Sequence, residues 1–180
     1  MLRRRFLLAA AATLAAPDAW AQLKPPLAMP VKWYAVKADG NAFVVEMPGV
    51  PDHRLIDDRS ARGTPFVLHS YSLDFGGYSY VAQTALYPGD VDTTQPRRIL
   101  QAAIDGRAAQ LAGRKWSTVD WREVSGAAAV ETTGTLPNGS GLRQLSLLKG
   151  HRFVSLAFLG PQAGIAGVEA NRFIRSLKVP

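Results

Sequence analysis

Two adjacent glycines constrain this chain more than any other pair of residues. Gly76 and Gly77 separate residues 64–75 from residues 78–87, two runs with the aromatic and β-branched content of strands. In the second run Tyr78, Tyr80 and Ala82 fall on one face and Ser79, Val81 and Gln83 on the other, a period of two. Both positions of a Gly-Gly connection accept positive φ, so the two runs are predicted to fold back on each other as an antiparallel hairpin.

The same punctuation recurs along the chain. Residues 31–37 and 42–47 flank Asp39, Gly40 and Asn41, which predicts a first hairpin. Pro48 and Pro51 end it, because neither can donate to a ladder. Residues 53–58 have the length of a further short strand. Later, residues 116–124, 127–136, 142–149 and 152–159 are separated by Ser125-Gly126, by the cluster at 137–141 and by Gly150-His151, the pattern of an antiparallel meander.

Two segments carry helical spacing instead. Leu100, Ile104, Ala108 and Leu111 form one stripe, with Arg97, Gln101, Asp105 and Gln110 off it. Thr94 stands as its N-cap, Pro96 fits its first turn and Gly113 closes it. Gly106 inside this helix costs about 1 kcal/mol, which implies close packing there or a bend. Pro161 opens the second helix, whose stripe is Ala166, Ala170, Phe173, Ile174 and Leu177. Strands close enough in sequence to pair antiparallel, interrupted by two helices, give an α+β class. The expected architecture is an antiparallel β-sheet of about six to seven strands with two helices packed on it.

The stretch Phe43-Val44-Val45-Glu46-Met47-Pro48-Gly49-Val50-Pro51, the Gly-rich meander and the last helix with Phe173-Ile174-Arg175-Ser176-Leu177-Lys178 together resemble the PsbP-like α/β/α sandwich. Exported bacterial proteins of unassigned function share that pattern. The late motif departs from it at two aromatic positions. The resemblance implies the sandwich fold and an accessory or binding role, as in an extrinsic subunit of photosystem II. It carries over no catalytic residue.

At the N-terminus, Arg3, Arg4 and Arg5 precede an uncharged run at 6–16, Pro17 and then Ala19-Trp20-Ala21. That is a cleavable export signal over residues 1–21, with cleavage expected before Gln22. Arg3-Arg4-Arg5-Phe6-Leu7 also matches much of a twin-arginine signal, so general secretion and twin-arginine export stay open as routes. The apolar run is shorter than the roughly 20 residues that cross a bilayer, so no membrane span is expected after cleavage. Residues 22–30 read as an extended leader with three prolines, and residues 31–180 as a single domain. The expected location is the periplasm. The absence of cysteine excludes a lipid-modified cysteine, a disulfide and a thiolate metal site.

Removing Arg3, Arg4, Arg5 and Asp18 lowers the formal net charge from +7 to +5. The arginines are scattered rather than interleaved with aromatics, so nucleic acid is not an expected partner. No Gly-rich phosphate loop is present. His53, His69 and His151 lie far apart and lack metal-ligand spacing, so a metal site requires tertiary assembly. His69 reads as a strand histidine. Asp90, Asp92, Thr93 and Thr94 supply oxygen atoms but read as a turn and helix cap. Ser140, between Gly139 and Gly141, lies between two strands and reads as a hairpin loop rather than a nucleophile elbow.

The candidate partner-binding residues are therefore Arg97, Arg98, Arg107 and Arg114 on or beside the middle helix, and Tyr78 and Tyr80 at the Gly76-Gly77 hairpin. The expected function is that of a non-catalytic periplasmic accessory or binding protein, its partner a protein or an anionic envelope component, with no cofactor. The alternative is a small hydrolase or metal-dependent enzyme whose site gathers distant residues such as His69, His53 and Asp90.

Overall fold

The computed structural model describes residues 31–180, so the expected export signal and leader lie outside the described residues. The order is β1 (Tyr34–Lys37), β2 (Val44–Met47), β3 (Asp52–Arg59), β4 (Pro65–Phe75), β5 (Tyr78–Leu86) and α1 (Pro96–Ala108). There follow β6 (Thr118–Val124), β7 (Ala127–Thr135), β8 (Gly141–Lys149), β9 (Arg152–Gly160) and α2 (Val168–Arg175). Strands β3 to β9 form one seven-stranded sheet in the order β3-β4-β5-β9-β8-β7-β6. Every neighbouring pair is antiparallel. The expected α+β class is the observed one, with β1 and β2 set apart as a two-stranded sheet.

Local chemistry explains the two meanders. Gly76 and Gly77 adopt φ of 61° and 80°, which closes β4 onto β5 with Phe75 opposite Tyr78. The loop between β3 and β4 closes through Ser60 N–H to Thr64 O at 2.9 Å and sets His53 opposite Tyr71. The halves then join edge to edge, β5 on β9, with Tyr80 opposite Phe158.

Alternation along the strands divides the core between the two faces of the sheet. On one face Leu100 and Ile104 of α1 pack on Val130 and Leu148. The Trp116 indole donates to Ile104 O at 2.9 Å and ties the strand region back to the helix. On the other face Phe173 and Ile174 of α2, Val45 and Met47 of the small sheet and Phe43 just before it cover Tyr71, Tyr80, Leu145, Leu156 and Phe158. Each such side chain contributes about 1.5–3 kcal/mol through burial.

The early and late sequence motifs meet in space here. Val44 and Lys178 exchange backbone hydrogen bonds at 2.9 Å, and Ser176 Oγ accepts from Glu46 N at 2.9 Å. Arg172 pairs with Glu46 at 2.7 Å and lies over the Trp33 ring. The motifs are thus a structural weld between β2 and the last helix.

Several local expectations are corrected. Thr94 does not cap α1: its N–H and hydroxyl both serve Asp92 Oδ1, and the cap position falls to Gln95 without a side-chain bond. The helix ends at Ala108 rather than near Gly113. Leu111 lies beyond it, buried over Gly134, where a Cβ would stand 2.8 Å from the leucine methyl. A Cβ on Gly106 would meet nothing within 4 Å, so close packing is not the reason for that glycine. The last helix starts at Val168 instead of Pro161, because a short 3-10 turn at Gln162–Gly164 and then Gly167 intervene. Ala166 is consequently exposed, and Ile165 is buried in its stead.

Candidate functional site

The residues expected to contact a partner are dispersed by the fold. Tyr80 is 1 % exposed and packs edge-on against Phe158 and Phe173. Burial first, then Glu169 and Tyr78, push its phenol up to about 12. Tyr78 stacks on Phe158 at 4.9 Å and seals against Gly160 and Gly164, where any Cβ would overlap its ring. Tyr80 is therefore core, and Tyr78 is largely committed to packing inside the chain. The period-two pattern puts Tyr78 and Tyr80 on one face, and that face is the one α2 covers.

The basic residues do not form one outer patch either. Arg97, seven residues before Ile104, lies on the same side of α1 as the core and stacks over the Trp121 ring at 5.5 Å. Arg107 donates to Gln110 at 2.9 Å while its Nε is buried without a partner. Arg114 sits in the 3-10 turn at Ala112–Arg114 with φ of 52°. Of the four, Arg98 lines a cleft of about 570 Å³ between α1 and the β3–β4 loop. Arg59 and Arg62 share that cleft with Asp58, Asp90 and Asp92, so its charge is mixed.

Asp90 belongs to this cleft. Ser60 and Thr64 hydroxyls donate to its Oδ2 at 2.6 and 2.9 Å. The Ser60 bond holds the carboxyl below its ordinary range, against a smaller opposing effect of desolvation, with Thr64 and Arg62 adding to it. Oδ1 is buried and without a partner. Asp90 is thus a turn residue, as expected from sequence, and it is not a neighbour of the histidines. Phe66, in the cleft, and His69 have opposite parity on β4, so they face opposite sides of the sheet.

What the fold does gather is a cluster on the sheet face that carries α2 and the small sheet. His53 of β3 sits opposite Tyr71, and His69 is two residues earlier on β4, on the same face. His53 Nε2 lies 3.3 Å from His69 Nδ1. Asp39, in the turn at Asp39–Asn41 between β1 and β2, brings Oδ2 to 3.6 Å from the same His69 Nδ1. One ligand atom from each of the three lies within 4.8 Å of the others. The His53 ring stacks parallel on Tyr71 at 4.3 Å, and the Tyr71 hydroxyl accepts from Asp39 N at 2.9 Å. Burial pushes the Tyr71 phenol up; the Asp39 N–H opposes this, and the Asp39 carboxylate adds to it.

At 3.6 Å the Asp39 carboxylate is beyond hydrogen-bond range of His69 Nδ1, which leaves the His53–His69 contact as the one hydrogen bond among these three side chains. A tetrahedral ion with bonds of about 2.0–2.1 Å places its ligands roughly 3.3–3.4 Å apart, close to both observed separations. Two imidazoles and one carboxylate suit borderline first-row metals such as Zn²⁺, and they leave at least one position for water. His53 and Asp39 are exposed and His69 half-buried, so solvent reaches the point where the three converge. His69 and Asp39 also border a concavity of about 380 Å³ with Thr84, Leu86 and Arg152.

The sequence groups the two histidines only as distant residues that a tertiary site would gather, with Asp90 as their carboxylate, and the fold supplies Asp39 in place of Asp90. The signal that joins the histidines is the hairpin register: strands closing around Ser60–Thr64 put residue 53 beside residues 69 and 71. Asp39 is named only as a turn residue, and no local pattern links it to β4.

No family model and no curated protein matches the chain. Among solved structures it is similar to cyanobacterial PsbP (CyanoP) from Synechocystis, with a TM-score of 0.54 and 8 % identity, over 83 % of this chain and 94 % of that one. A protein of unknown function from Pseudomonas aeruginosa aligns over 77 % of this chain and 89 % of its own, with 15 % identity and a TM-score of 0.44. The first likeness shows a PsbP-like fold and nothing further. Among the described residues no helix is long and apolar enough to cross a membrane.

Proposed function

We infer that this chain works after export, in the periplasm, as a non-catalytic accessory protein that carries one exchangeable transition-metal ion on Asp39, His53 and His69. The observation that supports the reading is the convergence of three donor atoms within 4.8 Å of one another, two of the separations being 3.3 and 3.6 Å. Each ligand is held from behind: Tyr71 fixes the Asp39 backbone and stacks on His53, and the β3–β4 ladder fixes His69. Exposure of two of the three ligands favours exchange with a partner or with solvent over retention.

Calorimetric titration of Zn²⁺ into the processed, metal-free protein tests this. One ion per chain is expected, with release of protons as the ligands bind. His53→Ala, His69→Ala and Asp39→Asn should each weaken binding by more than about a hundredfold, beyond the 10–100-fold that loss of an outer partner causes. Zn²⁺ binding unchanged by the two histidine variants overturns the reading.

A further inference from the structure

The sheet ends at β3, eight consecutive exposed residues, and among the described residues no strand lies on their outer side. Such an edge presents unpaired N–H and C=O groups and is normally blunted by charge. Here Leu55 is 63 % exposed and Ile56 42 %, at the centre of the strand. The charges around them are arranged so that they invite a second copy rather than repel it.

A continuous antiparallel sheet made by two copies has its two-fold axis normal to the sheet. Each face then continues into the same face of the partner, so facing residues must share parity. Centring the pair on Leu55 sets Asp52 against the partner's Asp58, and centring on Asp57 sets that carboxylate on its own copy. Both place like charges opposite each other. Centring on Ile56 sets Ile56 on the partner's Ile56, flanked by Arg54 against the partner's Asp58 and Asp58 against the partner's Arg54. On the other face Leu55 meets the partner's Asp57 and His53 meets the partner's Arg59, with no two carboxylates and no two guanidinium groups opposed. Among the described residues, neither Arg54 nor Asp58 is in an ion pair within the chain.

The opposite edge, β6, also exposes an apolar side chain, Val119 at 42 %, but its one arginine is not free. Arg122 there is already paired with Glu131 at 2.7 Å, and Trp121 lies under Arg97. We propose that the β3 edge is a homodimer interface, two copies pairing antiparallel about Ile56 into one fourteen-stranded sheet, the number following from seven strands in each copy.

Sedimentation equilibrium of the processed protein in chelator-treated buffer keeps this test independent of metal binding. The protein is expected to dimerise with concentration. Arg54→Asp and Asp58→Arg each make two like-charge contacts, and each should weaken association by about tenfold or more. The double swap should restore it, while circular dichroism and melting show all three variants folded. Because the chain has no cysteine, Ile56→Cys should cross-link to itself on oxidation and Leu55→Cys should not. A monomer at every concentration, a dimer indifferent to the charge reversals, or cross-linking through residue 55 instead of 56 overturns the proposal.

Discussion

Replacing Tyr71 by Phe separates the supporting shell of the metal cluster from the packing beneath it. Tyr71 is 5 % exposed, its ring meets Phe43 edge-on at 5.7 Å and stacks on His53 at 4.3 Å. Phenylalanine keeps both contacts and removes only the hydroxyl. The Asp39 N–H then loses its acceptor at 2.9 Å, a change of about 1 kcal/mol in folding stability. For a domain of this size that lowers the melting temperature by about 2–4 °C. The turn carrying the Asp39 carboxylate is released as well, so Zn²⁺ affinity should fall by about 10–100-fold, as for other outer partners of metal ligands. Thermal melts of the metal-free protein measure the first effect, and calorimetric Zn²⁺ titration of Tyr71→Phe measures the second. A drop in melting temperature with affinity within twofold of the parent refutes the positioning argument, because the hydroxyl would then serve the fold alone.

Three further outcomes follow from the geometry. Arg143 makes a two-pronged contact with Glu131 at 2.6 Å and also reaches Asn171 and Ile165 O, with both ion-pair side chains 12 % exposed. Arg143→Met should cost about 3 kcal/mol in urea unfolding, the low end for a broken buried pair because Arg122 still faces Glu131, and a second change, Glu131→Leu, should recover most of it. Gly106→Ala on the exposed face of α1, where a Cβ meets nothing, should stabilise by about 0.5–1 kcal/mol in the same assay. The Asp90 carboxyl is held low in the folded state, so its contribution is present above the unfolded pKa of about 3.9 and is lost as pH falls through the lower folded value. The gap in melting temperature between the parent and Asp90→Ala, open at neutral pH, should therefore close in acid.

The sequence determined the elements that depend on neighbours along the chain. Gly76-Gly77 and Ser125-Gly126 set hairpins through positive φ, and alternation of side chains put Tyr78, Tyr80 and Ala82 on one face. The apolar stripe of α1 was legible because Leu100 and Ile104 recur at helical spacing, and the α+β class followed from the order of the elements. Helix ends were less legible, since Leu111 leaves its stripe to cover Gly134 and Gly167 delays α2, choices made by packing.

Tertiary structure alone decided which face α1 covers and which α2 covers, because alternation fixes two faces without assigning either. That is why Tyr80 became core and the exposed Arg97 stacks over Trp121. It also joined β5 to β9 and brought the separate β1–β2 sheet against the long one, which set Asp39 beside His69 across 30 residues of chain. Convergence of those three ligand atoms depends on contacts between sheets, and such contacts leave no periodic trace in the order of the amino acids.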